Sequence, residues 1–247
     1  DIKRKAVELS ASHGILATEN WLSVPLSNIY VITVSTSIDG NNPDVSAIYD
    51  VCGKIAEKEP EALVCIESTV PVGMSRRVAE EFGLEHVVHC PHRYWSEDPA
   101  DHGVIQKRVL GALNEESMEK GKWFYSELKI PYYAVSSLEI AEMSKITENA
   151  YRFVQIAFAE ELKIICDKLG LPFDEVRTAC NTKWNTEILE ARDGIQGHCL
   201  PKDIRYLARR GKAQLLMGAI KADERYKRAH THLVGMQNGN PHKKPRK

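Results

Sequence analysis

The sequence predicts an α/β fold, a partial doubly wound sheet followed by a helical region built on one long helix. Three observations predict it. Short β-branched apolar runs alternate with helix-period segments as far as about residue 135. From Ser136 onward no strand-like run returns, and helix-compatible sequence continues unbroken to Gly170. The 247 residues suffice for one large domain or two smaller ones with a substantial core.

The elements follow in order. Asp1 to about Ser27 has no clear period. Asn28 to Val34 is a β-branched run read as a buried strand, and Asp39-Gly40-Asn41-Asn42-Pro43 is a turn. Asp44 to about Glu59 reads as a helix with Asp44 as N-cap and Val45, Ile48, Val51, Cys52 and Ile55 on one face. Ala62 to Ile66 is the next strand, Val78 to Phe82 a short helix, and His86 to Cys90 another strand. Lys107 to Leu113 gives a further strand, Ser117 to Leu128 a helix, and Tyr132 to Val135 the last strand. Such alternation indicates a parallel or mixed sheet covered on both faces.

Ser136-Ser137-Leu138-Glu139 is then a capping-box signature and Gly170 a natural helix stop. The helix between them would span roughly 48 Å at 1.5 Å per residue, too long for a simple crossover. A shorter helix from Asp174 to about Asn181 follows, then a glycine-bearing loop to Asp203 and another helix after Arg210. Asn238 to Lys247 is polar, basic and Pro/Gly-bearing, read as a disordered or truncated tail. The organisation is therefore residues 1–135, 136–220 and a tail from 221 to 247.

Composition excludes several classes. Thirty-three Lys and Arg against 34 Asp and Glu leave a formal charge of -1, so no global field favours nucleic acid or an anionic membrane. No apolar run approaches the ~20 residues that span a bilayer, and no signal-type stretch follows the charged start, so a cytoplasmic protein is expected. The six cysteines form no C-x-x-C pair and no disulfide framework.

Four constellations could carry chemistry. In Gly194 to Asp203, glycines flank Cys199, and His198, Lys202 and Asp203 stand beside it, where a thiolate would be stabilised. The alternative is a free cysteine in a polar loop. On the long helix, Glu142, Lys145, Asn149 and Arg152 step by three or four and share a face. That face is either solvated or, because asparagine suits an exposed helix interior poorly, an oxyanion-stabilising pair of donors. Glu67-Ser68-Thr69-Val70-Pro71-Val72-Gly73 leaves a strand where an α/β sheet binds ligands, although such a strand exit is common. His86, His89, Cys90 and His92 invite zinc, but residues 86 and 89 of a strand point to opposite faces and no second ligand pair accompanies them. No metal is expected. No G-x-G-x-x-G occurs, so a complete dinucleotide cradle is not visible.

Together these motifs resemble the UDP-glucose/GDP-mannose dehydrogenase family. Glu67 to Gly73, Ala141 to Arg152, Ile156 to Phe158 with Glu161, and Gly194 to Asp203 carry the resemblance in one order, over roughly residues 28 to 220. Val34 to Ser37 with Pro43-Asp44 looks like a diverged form of the family's V-P-T-P…P-D segment. The E-N-x-x-R and G-H-C forms are more similar to the branch acting on UDP-N-acetylhexosamines. The resemblance implies a Rossmann-like NAD domain, a central helical domain that dimerises through its long helix, and a nucleotide-sugar substrate for polysaccharide biosynthesis. It implies that Cys199 forms a thiohemiacetal and then a thioester while C6 is oxidised by two NAD+. Lys145 and Asn149 would stabilise the oxyanion, and Asp203 with Thr69 would handle water and protons. Thr36, Glu67 and Thr69 would meet the cofactor; Arg152, His198, Lys202 and His92 would meet the substrate.

Departures are specific. His92 stands where the family has a glutamate credited with thioester hydrolysis, Gln196 where glycine is usual, and Glu160 where asparagine is usual. The glycine-rich first segment and the C-terminal nucleotide-binding domain are not seen. The alternative expectation is therefore a truncated, catalytically incomplete dimerisation or nucleotide-sugar-binding module.

Overall fold

The computed structural model describes residues 14–39, 42–95, 98, 100–209 and 213–237, with side chains as far as residue 229. The opening as far as residue 13, the tip Gly40-Asn41 of the expected turn, and the tail Asn238 to Lys247 lie outside the described residues.

The first strands are β1 (Ile29–Ile32), β2 (Ser37–Asp39) and β3 (Asn42–Asp44), followed by α1 (Ser46–Lys58), β4 (Leu63–Ile66), α2 (Met74–Phe82) and β5 (His86–His89). Then come β6 (Arg108–Ala112), α3 (Glu115–Glu127) and β7 (Tyr132–Ala134). The main sheet runs β1-β4-β5-β6-β7, with β5 and β6 antiparallel and the other neighbours parallel, the mixed α/β sheet that the alternation predicts. The turn segment is larger than expected, because β2 and β3 pair as an antiparallel hairpin.

Strand periodicity shows why the sheet is doubly covered. Val64 and Ile66 pack with Tyr30, Ile32 and Val87 under Ile48, Cys52 and Ile55 of α1 and Val78 of α2. Leu63 and Cys65, the alternate residues of the same strand, pack with Val88, Leu110 and Tyr125 under α3. Alternate side chains of β4 thus feed two cores, so the strand reads as a continuous apolar run.

The second region is built on α4 (Leu138–Leu169), followed by α5 (Phe173–Asn181), α6 (Cys199–Ala208) and α7 (Gln214–Gln237). Ser137 caps α4 by accepting from the Ile140 amide at 3.3 Å, and Gly170 ends it in the left-handed conformation at φ +67. The helix starts against the sheet: a side chain on Gly111 of β6 would come within 2.9 Å of Ala141 Cβ, so glycine lets strand and helix meet. Further along, Ala150, Phe153 and Ala157 pack against Ile195, Ile204, Ala219 and Ile220 from the cysteine loop, α6 and α7. Truncating Phe153 would cost about 3–5 kcal/mol.

Three boundaries differ from expectation. α2 begins at Met74 rather than Val78, because Glu142 of α4 accepts from the amides of Gly73 (2.5 Å) and Ser75 (2.7 Å) and satisfies its first turn. α6 starts at Cys199, inside the expected loop, since Pro201 in a first helical turn gives up no needed donor. α7 runs to Gln237, so residues 221–237, placed in a tail by the sequence reading, are helical.

Candidate active site

Two helices supply the centre of the site. α4 carries Lys145 and Asn149 one turn apart, and α6 carries Cys199 and Asp203 one turn apart. They are joined where Asn149 Nδ2 donates to Asp203 Oδ2 at 2.5 Å. The other oxygen of Asp203 lies 2.8 Å from Lys202 Nζ. Lys202 also donates to Thr36 Oγ1 at 3.1 Å, and Thr36 donates onward to the Thr69 carbonyl at 2.7 Å. One chain of polar contacts thus ties the ends of the sheet strands to both helices.

Lys202 is 6% exposed and stacks over the Tyr206 ring at 4.7 Å, so its charge is spent on Asp203 and Thr36. Among residues expected to meet the substrate, it instead lies inside as a strut. Thr69 lies beside Thr36 half-buried, and its hydroxyl takes no partner among the described residues.

Burial holds Lys145 below the usual lysine range, and Arg93 adds to that. Glu148, Asp203 and Cys199 pull the other way, which places the ammonium, the carboxylate and the sulfur within electrostatic reach of one another. Arg93 is fixed by Glu148 and by the Lys107 carbonyl at 2.6 Å. Cys199 is exposed at the first turn of α6. Cys52, Cys65, Cys90 and Cys166 are buried, whereas Cys180 is exposed like Cys199. Burial pushes Cys52 and Cys90 up to about 12 and Cys65 higher still.

His92 keeps an exposed edge but is held below the usual imidazole range, first by partial desolvation and then by Lys145 and Arg108, with Glu67 opposing. It therefore belongs to the same electrostatic neighbourhood. His198 is exposed at the start of α6. Arg152 borders a cleft of about 520 Å³ shared with Trp95, Ile195, Gln196 and Leu200, next to the cysteine. Glu67 has one oxygen engaged: Arg108 Nη1 lies 2.7 Å from its Oε1, and Tyr125 donates to that oxygen at 3.0 Å. Among the described residues no cluster of histidine, cysteine and carboxylate could hold a metal.

A nicotinamide cofactor is tested by the strand ends. Thr69, with an unengaged hydroxyl beyond the carboxyl end of β4, fits it; the Thr36 hydroxyl is spent on Lys202 and the Thr69 carbonyl, and Glu67 has one oxygen held by Arg108 and Tyr125.

Sequence reasoning missed one part of the site. Asp223, Tyr226 and Lys227 on α7 bind the backbone of the loop before Cys199. Their i, i+3, i+4 spacing was the available signal.

Comparison with known proteins places these residues in context. Residues 5–129 match the family model described as the UDP-glucose/GDP-mannose dehydrogenase family, NAD binding domain, and residues 139–224 match its central domain. A UDP-N-acetyl-D-mannosamine dehydrogenase of Pyrococcus horikoshii is 29% identical over 213 residues, 82% of this chain and 51% of that protein. An NDP-N-acetyl-D-galactosaminuronic acid dehydrogenase of Ralstonia nicotianae is 30% identical over 72% of this chain and 46% of its own length. The solved structure of UDP-D-MAnNAc dehydrogenase from Pyrococcus horikoshii superposes with a TM-score of 0.85 at 27% identity, covering 95% of this chain and 59% of that one. The chain thus spans about half the length of the curated relatives it matches.

Proposed function

Because the chain belongs to the UDP-glucose/GDP-mannose dehydrogenase family, we propose that it carries the catalytic centre of an NAD-dependent nucleotide-sugar 6-dehydrogenase. The substrate class we infer is a UDP-linked N-acetylhexosamine, the kind of sugar named in the Pyrococcus relative. The observation that carries this reading is the Asn149–Asp203 contact one turn from the exposed Cys199, with Lys145 within electrostatic reach of both Asp203 and the sulfur.

Each residue has a role that follows from its surroundings. Cys199 sulfur adds to the C6 aldehyde, forming a C–S bond, and is held there as thiohemiacetal and then thioester until water cleaves the bond. Lys145 and Asn149 stabilise the oxyanion at C6; the lowered proton affinity of Lys145 suits it to release a proton as charge is relieved. Asp203, oriented by Lys202 and Asn149, accepts protons from the alcohol and the attacking water. Arg152, which lines the cleft beside the cysteine loop, and the exposed His198 and His92 meet the sugar nucleotide. Thr69, held in place by the Thr36 hydroxyl, would meet the nicotinamide end of NAD+, which supplies the hydride acceptor when bound. Each sugar consumes two NAD+ and one water and yields two NADH, one carboxylate and three protons.

Homodimerisation is part of this proposal. Tyr151, Phe158 and Ile165 recur every seventh residue along α4 and are exposed, as is Leu169 beyond them. A stripe of that kind suits a second copy of the helix.

The test is to supply NAD+ and UDP-N-acetyl-D-mannosamine to the full chain and follow NADH and uronic acid. Two NADH per acid, with Cys199→Ser yielding no acid, would support the proposal. Nucleotide-sugar binding without NADH would instead support a non-catalytic binding module.

A further inference from the structure

We propose that Asp223, Tyr226 and Lys227 of α7 are positioning residues for Cys199, clamping the segment that leads into it. The proposal rests on the reading of Cys199 as nucleophile. Tyr226 donates to the Arg192 carbonyl at 2.6 Å. Asp223 Oδ1 accepts from the Ile195 amide at 2.8 Å, and Lys227 Nζ donates to the Ile195 carbonyl at 2.6 Å. Lys227 and Asp223 are themselves paired at 2.8 Å. Both backbone groups of Ile195 are therefore held by one turn of a neighbouring helix, an unusual commitment of charge to a single loop residue.

Two further features make the grip stiff. Gly194 sits at φ +84, and a Cβ there would come within 2.5 Å of Lys227 Cγ, so the lysine stem lies directly across the loop backbone. The Ile195 side chain is 3% exposed, in the cluster that contains Ala150, Phe153 and Ile204. Gly197, at φ +81, then turns the chain into α6. On the far side of Cys199, Lys202 and Asp203 are fixed to Thr36 and Asn149. The cysteine thus stands between two anchored points, Ile195 and Lys202, although it is itself exposed. The anchors set where the sulfur lies relative to Lys145, and a misplaced reacting group loses rate steeply.

The chain has its own internal controls. Cys180 is exposed and makes none of the clamp's contacts, whereas Cys52, Cys65, Cys90 and Cys166 are buried. Iodoacetamide labelling of the full chain, resolved cysteine by cysteine by mass spectrometry, reads all six. In the unaltered chain Cys199 should label faster than Cys180, because Lys145 lies within electrostatic reach of its sulfur. In Lys227→Met and in Tyr226→Phe, Cys199 should slow by about tenfold and about threefold, with kcat falling in step and KM little changed. The four buried cysteines should stay protected, which excludes general loosening. Lys227→Arg should restore part of the rate. Unchanged Cys199 labelling in both variants, with the buried cysteines protected, would overturn the clamp while leaving the nucleophile intact. Variants that instead expose the buried cysteines would also count against it, since the contacts would then serve stability alone. Cys199 labelling no faster than Cys180 in the unaltered chain, with no NADH formed, would remove the nucleophile itself.

Discussion

Two buried ion pairs lie among the described residues, and they differ in what they leave open. In the sheet region, Glu67 pairs with Arg108 and accepts from Tyr125, with Cys65 and Cys90 beside them. In the helical region, Asp203 pairs with Lys202 and accepts from Asn149, with Cys199 one turn away. Each has a carboxylate, a cation, a neutral donor and a nearby thiol. The sheet cluster is more enclosed: Tyr125 is fully buried and burial drives both thiols up, which leaves only Glu67 Oε2 without a partner among the described residues. The helical cluster adds a buried Lys145, an exposed sulfur and an unengaged Thr69 hydroxyl. Buried charge alone does not make a site; unspent valence facing an opening does.

The strongest test of that contrast removes the cation that is unspent. Lys145→Met should lower kcat on the order of 10³-fold, the loss typical of an oxyanion-stabilising donor. It should not lower the urea midpoint, because burial already disfavours the ammonium at that position. A coincident fall in stability would mean that Lys145 is structural, like Arg108.

The matching change in the enclosed cluster should give the opposite pattern. Arg108→Met leaves Glu67 buried without its cation and should cost about 3 kcal/mol or more of stability. Turnover per folded molecule should stay within about threefold. Adding Glu67→Gln should recover much of the loss, since the uncompensated charge is then gone. A failure to recover, in urea unfolding of the double variant, would show that packing of the arginine stem and not its charge was the source.

The two clusters also differ in how far the amino-acid sequence reveals them. The Cys199 loop is legible because its nucleophile, cations and carboxylate are adjacent in sequence, and Lys145 and Asn149 because a helix repeats every 3.6 residues. The limits of α4 were legible too, since Ser137 and Gly170 act locally on its ends. What stayed hidden depends on partners far away along the chain. Glu142 reads as one more residue on the Lys145 face, yet it closes the first turn of α2 at Gly73 and Ser75. Glu67 reads as a ligand because it follows a strand, but Arg108 and Tyr125 claim it across the sheet. Lys202 reads as a substrate contact because it neighbours Cys199, although helix phase turns it inward to Thr36. Asp223 and Lys227 share a helix face by their spacing, but that spacing does not name the distant backbone groups that they bind.

A third buried carboxylate, between these extremes, gives the smallest but most diagnostic effect. Glu160 of α4 is fully buried with neither oxygen hydrogen-bonded, and it faces Asp223 and Lys227 of the loop clamp. Burial, then Asp223, pushes it up to about 7, with Lys227 pulling down. The folded chain therefore holds this proton above the unfolded carboxyl value of about 4.3, and stability falls as pH rises between those two values. Glu160→Gln keeps the shape and removes the titration. Variant and unaltered chain should be equally stable near pH 4, where both side chains are neutral. They should diverge as pH rises and reach a steady gap of about 3–4 kcal/mol in favour of the variant above about pH 8. His89, buried and lowered to about 3, loses stability as pH falls, but it does so in both chains and cancels from the difference. Urea midpoints across that range measure the gap. A constant difference would show that Glu160 does not change its charge there, and a variant less stable at high pH would mean that its carboxylate is paired after all. If the gap opens as stated, the clamp on Cys199 is strained by a like charge above neutrality, and turnover of Glu160→Gln should hold up better than that of the unaltered chain at the same pH.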